Sequence, residues 1–343
     1  MKSPIKAKAK IDASAEGEIP PPQPGHNSYF VSAKPNIEFV KTGCTLLDCA
    51  LGGGWALGRV ANVVGDKATA KTALACEALI NFVKQYPDGK AAYRDVEAAF
   101  DQDYAQAMGL KLDTVDFGDP DKLLVTVEDF ASDLERFIGS CDGHGIYVLD
   151  SLDALTTEDE LGRNYGDQGF GTAKAKLLSE VFRKLARRLE QSKVLLVIVS
   201  QVRDNIGAMF GEKHKRSGGR ALDFYASQIV WLARMKTLDK SVNKIKRVYG
   251  ITVKANVKKN KVGLPHRTCE FDFIFGYGIE DMEASISWLN DVGRLGDLKV
   301  GIGDIQTMDE VTYRGFEPHV NDITRKVWAE VDTSFLPKRR KYD

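Results

Sequence analysis

The segment VVGDKATAKTAL, residues 63–74, constrains the fold more than any other part of the sequence. An apolar run ends at Gly65, a short polar stretch follows, and Lys71-Thr72 then opens a run with helical character. Phosphate-binding P-loops have the pattern G-x-x-x-x-G-K-[ST] at such a strand-to-helix turn. In this chain Ala70 stands where the pattern has its second glycine. The segment therefore predicts a strand, a loop and a helix in succession, with a phosphate site at the turn.

The chemistry of a P-loop needs backbone N–H groups that point at phosphate oxygens, and a lysine that adds positive charge. The hydroxyl after the lysine coordinates Mg²⁺, so Lys71 and Thr72 retain both functions. We expect Ala70 to be helical already, because a methyl group is then sterically allowed; the alternative is a degenerate loop without nucleotide. The predicted nucleotide-binding residues of this loop are Gly65, Asp66, Lys67, Ala68, Thr69, Ala70, Lys71, Thr72 and Ala73.

Short apolar runs and amphipathic runs alternate through the middle of the chain. The apolar runs have the length and composition of strands and lie at residues 59–64, 91–96, 145–150 and 194–200. Between the last two, leucines and a phenylalanine recur at three- and four-residue spacing over residues 173–191, which predicts a helix. This alternation predicts an α/β fold with a mostly parallel, twisted sheet flanked by helices.

The composition changes twice along the 343 residues. We expect residues 1–33, which are rich in Pro, Lys and Ala, to form a flexible tail. Residues 34–279 are expected to form the core, and residues 280–343 a small C-terminal α/β region with a basic end. The longest apolar run, residues 194–199, is far shorter than the approximately 20 residues of a membrane-spanning helix. We therefore expect a cytoplasmic protein with no membrane partner.

The overall charge and the cysteines exclude several classes of function. The formal net charge is zero, so any electrostatic site must come from a local cluster of charges. The five cysteines are scattered and have no C-x-x-C spacing, so neither a zinc ribbon nor a disulfide framework is indicated.

Two carboxylates and one amide directly follow or end predicted strands. Asp150 ends one apolar run, where it can hold Mg²⁺ through water or, alternatively, cap a helix. Glu97 follows another run and can activate water as a general base, or be a solvated loop residue. Gln201 ends a third run, where its amide can sense a γ-phosphate or bond to its own backbone.

Basic residues cluster late in the chain. Between Lys236 and Arg267 there are many Lys and Arg residues but a single acidic one, Asp239. Residues 203–220 are glycine-rich, mainly positive, and have the composition of a mobile loop. Such clusters favour sequence-independent binding to nucleic-acid phosphates, because the bound cations release condensed counterions.

Several segments resemble the RecA family of DNA recombinases when they are taken together. TGCTLLDCALGGGWALGRVANVVGDKATAKT resembles the entry into the family's P-loop, and DVEAAFDQDYAQAMG resembles its segment with the catalytic glutamate. YVLDSLDALTTEDEL resembles the Walker B strand, while VSQVRDNIGAMFG and SGGRALDFYAS resemble the second DNA-binding loop and its exit. VKKNKVGLPHRTCEFDFIFGYGI resembles the strand pair near the end of the core. The resemblance covers approximately residues 40–280.

The resemblance implies a role for individual residues. Glu97 would be the general base, Asp101 and Tyr104 would contact adenine, and Gln201 would sense the γ-phosphate. Lys259 and Lys261 match two lysines that reach the ATP of a neighbouring protomer. The implied DNA-binding residues are Arg203, Asn205, Phe210, Lys213, Arg216, Gly218 and Gly219.

Three assignments have open alternatives. Phe210 is either a wedge between bases or a buried anchor of its loop. Lys176 and Arg183 lie seven residues apart on one helix face, and they either meet DNA phosphates or form a solvated surface. The segment Phe30–Ala33 either docks into an adjacent protomer, as a Phe-x-x-Ala segment does in archaeal and eukaryotic recombinases, or is ordinary linker sequence.

The function implied by the resemblance is ATP-dependent homologous recombination. The protein would use ATP and Mg²⁺, form a helical filament with itself on single-stranded DNA, and exchange strands with double-stranded DNA. The alternative is an accessory ATPase with the same fold that loads or regulates another recombinase. Ala70, the basic C-terminal end and the unrecognisable N-terminal polymerisation helix indicate a divergent, bacteriophage or mobile-element member.

Overall fold

The computed structural model of the protein describes residues 37–162, 170–204, 214–216, 219–337 and 339. Within these residues, five parallel strands form one half of a large sheet: β3 (Val60–Gly65), β4 (Lys90–Asp95), β5 (Gly145–Asp150), β6 (Val194–Asp204) and β8 (Gln228–Val242). Their order across the sheet is β8-β3-β6-β5-β4. The sequences of β3, β5 and the first half of β6 are mostly apolar, as expected where helices cover both faces of a sheet.

Antiparallel strands extend the sheet beyond β8. They are β9 (Ile245–Asn260), β10 (Thr268–Ile274) and β11 (Gly278–Glu280), in the spatial order β11-β10-β9-β8. A short strand, β7 (His214–Arg216), pairs with the end of β6. Near the start of the described residues, β1 (Phe39–Val40) pairs with β2 (Trp55–Ala56).

The helices of the described residues lie between these strands and after them. They are α1 (Thr45–Leu51), α2 (Lys71–Gln85), α3 (Gln102–Ala107), α4 (Val127–Ser140), α5 (Glu158–Leu161), α6 (Phe170–Ser192), α7 (Gly219–Tyr225), α8 (Asp281–Asp291), α9 (Ile302–Gln306) and α10 (Glu310–Ser334). The predicted helix over residues 173–191 corresponds to α6. The prediction of a mostly parallel sheet flanked by helices is confirmed.

The two faces of the sheet carry separate hydrophobic clusters. In β3, Ala61 and Val63 belong to the cluster that includes α1 and α2. Val60 and Val64 belong to the cluster that includes α4 and α6. Because successive side chains of a strand point to opposite faces, one short strand supplies both clusters. The ends of the parallel strands are thereby fixed in space, and the loops that follow them start from a rigid edge.

A third hydrophobic cluster lies after the sheet. Leu289 of α8 and Val327 of α10 are both buried in it. Beside it, the rings of Trp288 and Trp328 are 5.1 Å apart between centroids. Among the described residues, no helix has the combination of length and apolar character that crossing a bilayer would need. The segment Phe30–Ala33 lies outside the described residues.

Candidate functional site

The loop between β3 and α2 is the centre of the candidate site. The hydroxyl of the buried Thr69 donates a 2.9 Å hydrogen bond to the carbonyl of Asp66. The ammonium of Lys71 donates a 2.7 Å hydrogen bond to the same carbonyl, so the lysine side chain folds back over the loop. The loop leads into the first turn of a 15-residue helix, whose free N–H groups and dipole favour an anion there. These features fit a phosphate group.

The expected helical conformation of Ala70 is wrong. Ala70 precedes the helix with φ 63° and ψ 28°, in the left-handed region, and Ala68 also has a positive φ of 54°. A left-handed residue with a side chain costs about 1–2 kcal/mol, which is the physical reason that glycine occupies such positions. Alanine is therefore tolerated here with strain rather than favoured. The loop nevertheless keeps the turn that joins β3 to α2.

Asp150 lies at the end of β5 and faces the start of α2. Its carboxylate accepts a 2.6 Å hydrogen bond from the Thr72 hydroxyl and a 2.9 Å hydrogen bond from the Tyr93 hydroxyl. Burial raises the pKa of Asp150, and the two hydrogen bonds oppose that shift. Asp150 caps no helix, since Thr157 is the residue that caps the next helix, α5. The carboxylate and hydroxyl predicted to hold Mg²⁺ are thus in contact.

A magnesium ion in proteins is bound through one or two carboxylates together with phosphate oxygens and water. The contact between Asp150 and Thr72 fits this requirement. Among the residues that the structure describes, no group of three or more His, Cys, Asp or Glu side chains is positioned to hold a metal ion by itself. The donor set therefore suits an ion that arrives with a phosphate ligand.

Glu97 and Gln201 meet across the end of the sheet. The Gln201 side-chain amide donates a 2.8 Å hydrogen bond to Oε1 of Glu97. The Ser151 hydroxyl donates to the same oxygen. The side-chain amide of Gln201 thus bonds to Glu97, and the backbone N–H of Gln201 donates a separate 2.8 Å hydrogen bond to the Asp153 carboxylate. The structure thus brings together two residues that are 104 positions apart in the sequence.

Lys71 completes the charged part of this edge. Burial lowers the pKa of its ammonium group, while the carboxylates of Asp150 and Glu97 raise it. The Lys71 ammonium therefore lies under the electrostatic influence of two carboxylates, beside a loop whose backbone amides can bind phosphate oxygens.

A cavity of about 440 Å³ opens beside the P-loop. Tyr104 and Asp101, the two predicted adenine contacts, both line it. The Asp101 carboxylate also accepts a 2.9 Å hydrogen bond from the backbone of Tyr104, because it caps α3. The cavity has the size and apolar lining of a small-molecule site.

The opposite wall of this cavity comes from residues that the sequence analysis missed. They belong to the antiparallel part of the sheet and the strand beside it: Arg234, Thr237, Val248, Ile251, Phe273 and Phe275. No local motif marks them, because they become neighbours of the P-loop only through the pairing of β8, β9 and β10. The alternation of aromatic residues in β10 is the single signal that could have pointed to one face of that strand.

Lys259 and Lys261 lie at the opposite edge of the sheet from this cavity. Position along β8 shows this separation. Lys259 pairs with Ile229, near the beginning of β8, whereas Gly65, which precedes the P-loop, pairs with Leu232, three residues further along β8. Both ammonium groups donate hydrogen bonds to the carbonyl of Phe224, at 3.0 Å and 3.2 Å. The two lysines therefore do not belong to the nucleotide cavity of their own chain.

The candidate DNA-binding residues are described only in part. Arg203 lies in β6, directly opposite Lys215, and Arg216 lies opposite Val202. Gly219 begins α7. The mobile loop expected over residues 203–220 is therefore shorter than predicted, because β6 extends into its beginning and α7 includes its end. Four of the predicted DNA contacts lie outside the described residues: Asn205, Phe210, Lys213 and Gly218.

Lys176 and Arg183 are exposed on the same helix, α6. Lys184, next to Arg183, forms an ion pair of 2.8 Å with Glu180. The exposure of Lys176 and Arg183 is compatible both with phosphate contacts and with a solvated face. Their role stays a prediction.

Comparison with known proteins agrees with this geometry. A family model described as the RecA N-terminal domain matches residues 28–280, which is well over half of the chain. The chain belongs to the RecA family. The P-loop, Glu97, Asp150 and Gln201 all lie within the matched residues.

Individual RecA proteins are similar to the chain at a modest level of identity. Protein RecA of Synechocystis sp. is 36% identical over 250 residues, which are 73% of this chain and 68% of that protein. Protein RecA of Treponema denticola is 33% identical over 322 residues, or 90% of this chain and 73% of that protein. Protein RecA of Streptomyces ambofaciens is 37% identical over 248 residues, which are 72% of this chain and 63% of that protein. The chain thus matches about two thirds of the length of its RecA relatives.

Proposed function

We propose that this RecA-family chain is an ATP-dependent homologous recombination protein. It forms a helical filament on single-stranded DNA and catalyses pairing and strand exchange, with ATP hydrolysis stimulated by DNA. The observation that carries this proposal is the hydrogen bond between Glu97 and Gln201. It connects the proposed general base to the strand, β6, that leads into the candidate DNA loop.

The proposed chemistry uses side chains at the carboxyl ends of the parallel strands. Lys71 binds the β- and γ-phosphates of ATP, and the loop amides orient them. When bound, Mg²⁺ would be held by Thr72 and Asp150 and would neutralise phosphate charge. Glu97 accepts the proton of the attacking water. Its Oε1 already accepts hydrogen bonds from Gln201 and Ser151, which orients the carboxylate and leaves Oε2 for that proton.

Gln201 is proposed to report the state of the nucleotide to the DNA loop. Its side chain bonds to Glu97, and its strand continues for three further residues to Asp204. A change in hydrogen bonding at the γ-phosphate would therefore alter the position of the residues at which the candidate DNA loop begins. This is a two-state element whose equilibrium the nucleotide biases.

The filament is proposed from the position of the two distal lysines. Lys259 and Lys261 lie at the edge of the sheet opposite their own P-loop, where both donate hydrogen bonds to the backbone carbonyl of Phe224. In a head-to-tail assembly, one edge of a protomer faces the other edge of the next. The lysines of one chain can then stabilise charge on the γ-phosphate held by its neighbour.

Further parts of the proposal concern partners and organisation. We propose single-stranded and double-stranded DNA and further copies of the chain as partners, and a cytoplasmic location. The division into a tail over residues 1–33, a core over 34–279 and a C-terminal region over 280–343 is also proposed. The divergent, bacteriophage or mobile-element origin stays a prediction that rests on Ala70 and the basic end of the chain.

The test of the proposal is a DNA pairing assay with the purified protein alone. At saturating protein, with ATP and Mg²⁺, the chain should pair a single strand with a homologous duplex and release the displaced strand. An accessory ATPase of the same fold would bind ATP and DNA but would form no joint molecules unless another recombinase were added. ATP and DNA binding without autonomous pairing would therefore favour the accessory function.

A further inference from the structure

The hairpin of β8 and β9 extends well beyond the rest of the sheet. Its outer part, residues 239–249, is exposed along both strands and is called the outer ribbon here. Asn243 and Lys244 form its two-residue turn, with φ values of 50° and 66°. Two left-handed residues are typical of the type I′ turn, whose twist matches that of paired strands. The turn therefore fixes the register of the ribbon.

The outer ribbon has two different faces. Residues directly opposite each other in neighbouring strands share a face, as do residues two positions apart in one strand. Asp239 opposite Val248 and Ser241 opposite Lys246 share one face, and Val248 lines the nucleotide cavity. The other face, called the outward face, is turned away from that cavity. It carries two cross-strand pairs: Lys240 with Arg247, and Val242 with Ile245.

The two faces differ in how their charges are compensated. On the cavity side, Lys246 forms an ion pair of 2.7 Å with Asp239. On the outward face, Lys240 and Arg247 are directly opposed like charges, and neither has an ion pair with any residue in the described part of the chain. Directly opposed like charges destabilise a strand pair. An anion bound between them would remove this repulsion.

The tip of the outward face is apolar as well as basic. The side chains of Val242 and Ile245 are 57% and 58% exposed at the end of the hairpin. Over residues 234–249 the sequence has six basic residues and one acidic residue, although the whole chain has zero net charge. A local excess of positive charge next to a small apolar tip suits a polyanion that also presents apolar rings.

The ribbon leaves the sheet at the same edge as the candidate DNA loop. Gln201 of β6 and Leu232 of β8 are both level with Gly65 of β3, which lies between them. Neighbouring strands are about 4.8 Å apart, so the two strands leave the edge about 10 Å from each other. The ribbon therefore lies close to β6, the strand that leads into the candidate DNA loop.

We infer that the outward face of the ribbon is an additional DNA-binding surface, in which Lys240 and Arg247 contact backbone phosphates. Val242 and Ile245 pack against a sugar or base next to those phosphates. This inference rests on the DNA binding of the proposed function, but it assigns that binding to an element outside the predicted loops. The chemistry recognised is the phosphodiester backbone, which single strands and duplexes share.

The test measures how the salt concentration affects binding to labelled DNA. Fluorescence anisotropy with an oligo(dT) strand and with a duplex gives the slope of log K against log salt. Each phosphate contact contributes about 0.7 to that slope for a single strand and about 0.9 for a duplex. The double variant Lys240→Gln/Arg247→Gln removes two contacts. It should therefore reduce the magnitude of the slope by about 1.4 if the face binds the single strand, or by about 1.8 if it binds the duplex.

A matched control removes two positive charges that are already paired with carboxylates. The variant Lys246→Gln/Lys193→Gln does this, since Lys246 pairs with Asp239 and Lys193 pairs with Glu38. The slope of this control variant should differ from that of the unmodified protein by less than about half the contribution of one phosphate contact. A second variant, Val242→Ser/Ile245→Ser, should weaken binding severalfold without changing the slope.

The outcomes separate this inference from the proposed function. If the unmodified protein binds no DNA, the proposed function fails and the inference fails with it. If the unmodified protein binds DNA and the Lys240/Arg247 variant keeps the same slope on both DNAs, only the inference is overturned. A variant with an unchanged slope but altered ATPase activity would assign the face to a protein contact, which also overturns it. Unchanged nucleotide binding and thermal unfolding would verify that the variants fold.

Discussion

The side-chain amide of Gln201 donates a 2.8 Å hydrogen bond to Oε1 of Glu97. Gln201 lies in β6, three residues before its end, and Glu97 follows β4, with β5 between these strands. The bond therefore spans the edge of the sheet beside the P-loop. It makes the orientation of the proposed general base depend on the strand that enters the candidate DNA loop.

Replacing Glu97 by Gln should separate binding from hydrolysis. The amide keeps the shape of the side chain and can still accept the hydrogen bonds from Gln201 and Ser151, but it cannot accept a proton. We expect ATP and DNA binding to be retained and steady-state hydrolysis to fall by about 10²–10⁴-fold. Parallel loss of binding and hydrolysis would instead mean that Glu97 is a structural carboxylate.

Replacing Lys71 by Ala should abolish measurable ATP binding, because it removes the positive charge at the β- and γ-phosphates. The measurement is titration with a fluorescent ATP analogue in the presence of Mg²⁺. Lys67→Ala is the matched control, since Lys67 lies in the same loop with an exposed side chain and is expected to contribute only its backbone. Unchanged affinity in the Lys71 variant would identify the loop as a remnant.

Replacing Ala70 by Gly should stabilise the protein slightly. Glycine removes the cost of the left-handed conformation, about 1–2 kcal/mol, but it adds about 0.4–1 kcal/mol of chain entropy to the unfolded state. We expect the free energy of unfolding in urea to rise by up to about 1 kcal/mol, with ATP affinity unchanged or improved. Ala70→Val should be destabilising. A loss of about 1 kcal/mol in the glycine variant would indicate a right-handed helical residue instead.

Mixing two inactive variants should restore ATPase activity if the distal lysines act on a neighbour. Lys259→Ala/Lys261→Ala keeps its own P-loop, whereas Lys71→Ala keeps the lysines. Each should lack DNA-stimulated hydrolysis alone, and the mixture should recover part of it at interfaces where an intact P-loop meets intact lysines. If the lysines only contact DNA or solvent, the mixture stays inactive and the double variant shows a smaller salt slope for DNA binding.

A half-buried glutamate in the P-loop helix should make stability depend on pH. Glu77 of α2 accepts a 3.1 Å hydrogen bond from the backbone of Ile279, and burial raises its pKa to about 7. Lys84 lowers this pKa and Asp281 raises it. Because the pKa is higher in the folded state, the folded protein holds the proton more tightly, and its stability falls as the pH rises from about 4.5 through about 7.

The corresponding variant is Glu77→Gln, which keeps an acceptor for the Ile279 N–H but cannot ionise. Urea unfolding of the unmodified protein should show a free energy of unfolding that decreases by roughly 1–3 kcal/mol between acidic and mildly basic pH. The variant should lack this part of the decrease. An identical pH profile in the two proteins would exclude Glu77 as its source.

The fold could be predicted because its information is local. β3, β5 and the first half of β6 are short apolar runs, and the helices between the strands have their own periodicity, so alternation along the chain was sufficient. The P-loop could be found for the same reason, since Gly65, Lys71 and Thr72 lie within eight residues. The conformation of Ala70 was predicted wrongly because the turn, rather than the helix propensity of alanine, determines its φ angle.

The parts of the site that escaped prediction depend on long-range pairing. Arg234 and Phe275 reach the nucleotide cavity only because three antiparallel strands fold back beside β3. The contact between Gln201 and Glu97 likewise requires the strand order of the sheet, which no segment of the sequence encodes by itself. The position of Lys259 at the far edge follows from the direction of β9, which runs antiparallel to β8.

The separation of the P-loop from Lys259 and Lys261 has a consequence for stoichiometry. In the proposed filament, an open row of identical chains, every internal junction would join one P-loop to one pair of lysines, whereas the two terminal chains would leave one half-site each without a partner. Such a row has one fewer complete site than it has chains. Turnover per chain should then rise with the length of the row towards a plateau, and short rows should hydrolyse ATP slowly even when every nucleotide cavity is filled.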